Sequence, residues 1–101
     1  QWWNDTPTYL IDEWVAYTNG AEIACERENH QQQHWSEVLY ALEMAYYTRV
    51  MMDLIPSGYQ DMAKLEAFFH WNSQRTLLLY DSRIHHHPKQ DRWASWLRSM
   101  L

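Results

Sequence analysis

The chain is short of the residues that punctuate and staple small folds. Two glycines and three prolines in 101 residues are too few for a small β-sandwich or barrel, which needs a turn roughly every 8–12 residues. Its single cysteine, Cys25, excludes an internal disulfide framework and any four-cysteine zinc site, and reads as a small buried hydrophobe in a reducing compartment. No apolar run reaches the roughly 18 residues that span a bilayer. Nor is a basic segment followed by an apolar stretch in the manner of a secretory signal. No membrane association is therefore expected, and the location expected is cytoplasmic. The chain begins QWWNDTP without an initiator methionine, which suggests residues upstream of Gln1.

Catalytic signatures are scarce too. Gly20 and Gly58 stand alone, so no glycine-rich loop is present to cradle a phosphate or dinucleotide. None of Ser36, Ser57, Ser73, Ser82, Ser95 and Ser99 sits in a nucleophile motif. A non-enzymatic protein is the better expectation.

What the chain has in quantity is aromatic surface. Seven Trp and seven Tyr exceed what a core of this size holds, and both residue types, with a large apolar body and a polar handle, are enriched at interfaces. Charge is divided unevenly. Residues 1–48 carry eight acids against Arg27, a balance of −7, and residues 49–101 carry seven bases against five acids, a balance of +2. The halves attract each other within a molecule or between copies, and the acidic half repels nucleic acid.

Periodicity predicts an all-α fold: a single domain, residues 1–101, forming a compact bundle of three to four helices. The first helix is expected over about 7–18, where Asp5 or Thr6 caps and Pro7 takes the first helical position. Asn19-Gly20 is the stop or kink signal. The second spans 21–55, either as one long helix or as two joined near 29–33, and carries Trp35, Val38, Leu39, Leu42, Tyr46 and Val50 on one stripe. Pro56-Ser57-Gly58 then turns the chain into a central antiparallel hairpin with a third helix over 59–84. That helix aligns Met62, Leu65, Phe69, Asn72, Thr76 and Leu79, so either its two polar members hydrogen-bond in the core or the stripe rotates toward Phe68 and Tyr80. A fourth helix covers 89–100.

Trp71 and Leu78 lie opposite the third helix's stripe, and Trp93 and Trp96 share a side of the fourth. These four are the candidate partner-binding residues. The function expected first is a small interaction module that binds another protein or a second copy of itself. Such a protein would be an inhibitor or adaptor of a host complex encoded by a phage or mobile element, or an accessory subunit. The alternative is a helical bundle holding a divalent metal. In ERENHQQQHWSE, Glu26, His30 and His34 fall one turn apart on a helix, and the triplet before Pro88 adds His85 and His87. A further alternative is nucleic-acid binding by the tail, where Arg83, Lys89, Arg92 and Arg98 interleave with Trp93 and Trp96.

Overall fold

The computed structural model describes the backbone of residues 2–28, 35–55, 61–82 and 88–101, and the side chains of 9–23, 37–55, 61–82 and 88–101. Four helices occupy it: α1 (Trp2–Glu28), α2 (Trp35–Leu54), α3 (Met62–Asp81) and α4 (Pro88–Ser99). Among the described residues there is no strand. The all-α bundle is therefore the fold.

The pairing of side chains fixes the helix directions. Tyr17 stacks on Tyr40 at 5.4 Å between ring centroids, and Gly20 lies against the Glu37 carboxylate, so rising numbers on α1 meet falling numbers on α2. Trp14 meets Phe68 and Phe69, Thr18 meets Asn72, and Glu22 meets Arg75, so α1 and α3 run parallel. The hairpin of α2 and α3 is accordingly antiparallel. On α4, Asp91 and Arg98, about two turns apart, reach Tyr80 and Asp81 at the end of α3. α4 thus crosses α3 rather than running along it, and it also packs on α2.

Trp14, Ala21, Val38, Ala41, Leu42, Ala45, Met52, Phe69, Leu77, Ala94 and Leu97 form the buried core, with Tyr80 at its edge. On α2 the buried set is Val38, Leu39, Ala41, Leu42, Ala45, Thr48 and Met52, of which Val38, Leu39 and Leu42 belong to the predicted stripe. Its centre is turned by roughly 90° from that of the stripe predicted around Tyr46, because the small residues Ala41, Ala45 and Thr48 are buried on that side. Val50, predicted within the stripe, is exposed.

The Asn19-Gly20 stop is not taken: α1 continues through it to Glu28. Thr18 and Ala21, on either side of the signal, are fully buried, and packing of that kind overrides the local preference of two residues. At its other end α1 begins at Trp2, ahead of the expected start, so Pro7 lies inside the helix and removes one backbone hydrogen bond. Pro88 opens α4, where its missing N–H would have gone unused.

The polar members of the α3 stripe hydrogen-bond in the core. The Thr18 hydroxyl donates to the Trp14 carbonyl at 2.8 Å and accepts from Asn72 Nδ2 at 3.2 Å. The Thr76 hydroxyl donates to the Asn72 carbonyl at 2.8 Å and accepts from Trp14 Nε1 at 3.2 Å. Both hydroxyl protons are then committed, so the 3.4 Å approach of Thr18 and Thr76 is a contact rather than a further bond. Asn72 Oδ1 accepts from Arg75 Nη1 at 2.8 Å, and Arg75 Nη2 donates to Asn19 and Glu22. A chain of bonds thus runs from the α1–α3 core to the surface.

Candidate interaction surfaces

The surface carries two apolar faces on helices whose opposite sides are already buried. On α3, Trp71 is 54% and Leu78 68% exposed. They point away from the buried Phe69, Ser73 and Leu77. The Arg75 guanidinium lies 4.9 Å from the Trp71 ring centroid, and Phe68 meets the same ring at 5.9 Å. Arg75 is itself held by Glu22 and Asn19, so its charge is neutralised locally while one side of the indole remains open. Cation–π contact and the ion pair fix the Trp71 rotamer, which lowers the side-chain entropy lost when a partner covers it.

Trp93 and Trp96 are half-buried. Each meets the Tyr46 ring edge-on, at 5.1 and 5.3 Å between centroids, and Tyr46 continues to Tyr47 at 5.7 Å. The two tryptophans therefore belong to a wall of rings that links α4 to α2. Their apolar bodies help hold α4 on the bundle, and their remaining surface borders the second exposed face.

That second face is on α2 and was not anticipated. Tyr40, Tyr47, Val50 and Leu54 are exposed, Leu54 at 79% and Tyr47 at 49%, and at about 100° per residue they share an arc of about 80°. Half-buried Met44 and Met51 edge the same arc on its α1 side. Tyr40, Met44, Tyr47, Met51 and Leu54 thus alternate spacings of four and three, the register of a coiled-coil seam. α2 is apolar almost all round, which in a small bundle means a helix with neighbours on most sides. Three of those sides are filled by α1, α3 and α4. Weighing Val50 with the core stripe hid the fourth side from sequence reading; the missed signal is the Tyr40–Tyr47–Leu54 spacing itself.

The α1 and α2 side of this face is acidic, while α4 across from it carries the exposed bases Lys89 and Arg92. Among the described side chains of α1 and α2 the only base is Arg49, and it is turned toward α3. There it donates to Glu66 at 3.1 and 3.3 Å and to Asp53 at 2.9 and 3.2 Å, with the Phe69 ring beneath. The Glu66 hydrogen bond, ahead of the opposing effect of burial and the further bond to Asp53, raises the Arg49 pKa. Asp12, Glu13, Glu37 and Glu43 have no ion-pair partner among the described residues.

Of the tail bases, Arg92 is exposed, Lys89 is exposed, and Arg98 is engaged by Asp81 near the Tyr80 ring. Asp91, close by, accepts from the Tyr80 hydroxyl. The tail is therefore less basic in place than its composition, since one of its cations is neutralised. Arg83, His30, His34, His85 and His87 lie outside the described residues, as do the side chains of Glu26 and Cys25. Among the described residues no group of three His, Cys, Asp or Glu is disposed to hold a metal ion. None of the described helices is long and apolar enough to cross a membrane. Comparison with protein-family models, with curated proteins and with solved structures gave no match.

Proposed function

We propose that this chain is a small non-enzymatic interaction module that works by burying its exposed aromatic and aliphatic faces against another protein, as an inhibitor, an adaptor or an accessory subunit. The observation that carries the reading is the α2 face, where Tyr40, Tyr47, Val50 and Leu54 continue through Tyr46 into Trp93 and Trp96. Single exposed apolar residues are ordinary. A strip of them, interrupted by the half-buried Glu43 and on the order of 400 Å² of side-chain surface, is of the size of the patches that are often functional on a small monomer. Trp71 and Leu78 supply a second contact region, and a tryptophan held as Trp71 is belongs to the residue types that dominate interface energies. Asp12, Glu13, Glu37 and Glu43, which have no ion-pair partner among the described residues, would steer the encounter.

A photo-crosslinking amino acid placed in turn at Leu54, Leu78 and Ser95 tests this in the native cells. Ser95 is exposed and lies on neither face. The reading predicts adducts to one discrete protein from Leu54, Leu78 or both, and none from Ser95. Adducts at all three positions alike, or at none, would count against it.

A further inference from the structure

We propose that the outer face of α3 is where two copies of this chain pair, antiparallel and about a two-fold axis. The proposal takes the α3 contact region of the interaction reading and names its occupant, which leaves the α2 face for a different protein. Lys64, Ala67, Trp71, Gln74, Leu78 and Asp81 are all exposed. They alternate spacings of three and four, the register of a coiled-coil seam, and at about 100° per residue they share an arc of about 100°. α1 meets α3 through Phe68, Phe69 and Asn72, and α2 meets it through Glu66 and Phe69. Apart from Arg98 at Asp81, the described helices leave the outer face uncovered.

The order of side chains along this face is complementary to its own reverse. When Trp71 of one copy stands opposite Gln74 of the other, Ala67 stands opposite Leu78 and Lys64 opposite Asp81, and each contact occurs twice, as an isologous interface requires. A long side chain then meets the smallest one, and a cation meets an anion. Lys64 has no ion-pair partner among the described residues. Arg98 engages Asp81 through Oδ1, which leaves Oδ2 to accept from Lys64 of the second copy. The two Trp71 rings come within about one helical turn of each other beside the axis, and the Arg75 cation over each of them is neutralised by Glu22. A parallel pair would set Lys64 against Lys64, Asp81 against Asp81 and Ala67 against Ala67, with like charges at both ends and a gap between. Charge and size together select the antiparallel copy.

A single-helix seam of this length covers roughly 1,000 Å² over the two copies, below the size of a standard interface, so a dissociation constant on the order of tens of micromolar is expected. The test is sedimentation of the whole purified protein from about 1 µM, where it should be a monomer, to several hundred µM, where it should be a dimer. Leu78→Ser should weaken the pairing about tenfold or more. Lys64→Glu alone and Asp81→Lys alone should each weaken it about tenfold, because each sets like charges together at both ends. An equimolar mixture of those two variants should recover most of the loss, since every residue 64 then meets its opposite charge at 81. Leu54→Glu should change nothing. Lys64 and Leu78 are exposed, so their variants keep the fold, and a thermal melt checks Asp81→Lys, which also loses Arg98.

A monomer at every concentration, or a dimer that Lys64→Glu and Leu78→Ser leave intact, would overturn the pairing. So would two folded charge variants that stay apart when mixed. A dimer that Leu54→Glu dissolves would also overturn it and move self-association to α2. Foreign adducts at Leu78 in the cells would give the α3 face to another protein, overturning the pairing and leaving the interaction reading. A dimer with the expected variant behaviour but no foreign adduct at Leu54 would uphold the pairing and overturn the reading that a different protein is bound.

Discussion

Thr18 and Thr48 offer a matched pair of perturbations with opposite expected signs. Both are helical threonines, 0% and 1% exposed, and Thr→Val changes neither shape nor helix preference much. Thr18 Oγ1 accepts from Asn72 Nδ2 and donates to the Trp14 carbonyl. Thr18→Val leaves the Asn72 amide hydrogen buried without that acceptor, a loss of about 1–3 kcal/mol, partly offset by removing a hydroxyl. Thr48 Oγ1 has no hydrogen-bond partner among the described residues. Thr48→Val therefore removes a desolvated hydroxyl and stabilises by about 1 kcal/mol. The two variants should differ by roughly 2–3 kcal/mol, or about 10–20 °C in Tm for a domain of this size. Urea unfolding with a common m-value is the assay. If Thr48→Val loses as much stability as Thr18→Val, the assignment of satisfied and unsatisfied hydroxyls is wrong.

Other outcomes follow from the same structure. Gly20 sits mid-helix, and an added Cβ would stand 3.4 Å from Glu37 Oε2, an ordinary contact with a flexible side chain. Gly20→Ala should therefore stabilise by about 0.5–1 kcal/mol in the same urea assay, and destabilisation would mean that α1 and α2 pack more tightly than described. Burial first, then the hydrogen bond to Asp91, pushes the Tyr80 pKa up to about 12. Between pH 10 and pH 12 native Tyr80 keeps a proton that the unfolded chain gives up, so stability present below pH 10 declines across that window. Tyr80→Phe should flatten the alkaline decline in urea midpoints and cost about 1–2 kcal/mol at neutral pH, because the hydrogen bond from the Tyr80 hydroxyl to Asp91 is lost; an unchanged decline would remove Tyr80 as its source. Leu78→Ser should leave Tm within about 2 °C, since the side chain is 68% exposed, and a larger fall would show that Leu78 packs against the bundle.

The sequence made the helices legible because long segments without glycine or proline leave few other options. The antiparallel α2–α3 pair and the α4 start beside Pro88 were readable from punctuation, and the core role of Asn72 and Thr76 was one of the two outcomes that the α3 period offered; the turn Pro56-Ser57-Gly58 itself lies outside the described residues. Other features were not. Asn19-Gly20 is a stop signal only for a helix whose flanks are free, and here Thr18 and Ala21 are buried on both sides of it. The α2 core face is built from Ala41, Ala45 and Thr48, small residues that a count of large hydrophobics undervalues. That count turned the helix by about a quarter circle and drew Val50 into the core. The same error concealed the exposed seam, because Tyr40, Tyr47 and Leu54 become visible as a face only once the true core side is known. Trp71 and Leu78 were legible as an outlying pair, since they oppose a well-defined stripe on α3. The wall that Trp93 and Trp96 make with Tyr46 needed the tertiary structure, because no spacing relates α4 to α2.

Native mass spectrometry of the untagged protein, taken from its own cells at neutral pH, tests the central claim most directly. The account predicts a complex heavier than the 12.4 kDa chain by one defined foreign protein, and its loss in a variant combining Leu54→Glu with Trp71→Ala. A bare 12.4 kDa species in the wild type, or a complex indifferent to that variant, would contradict it.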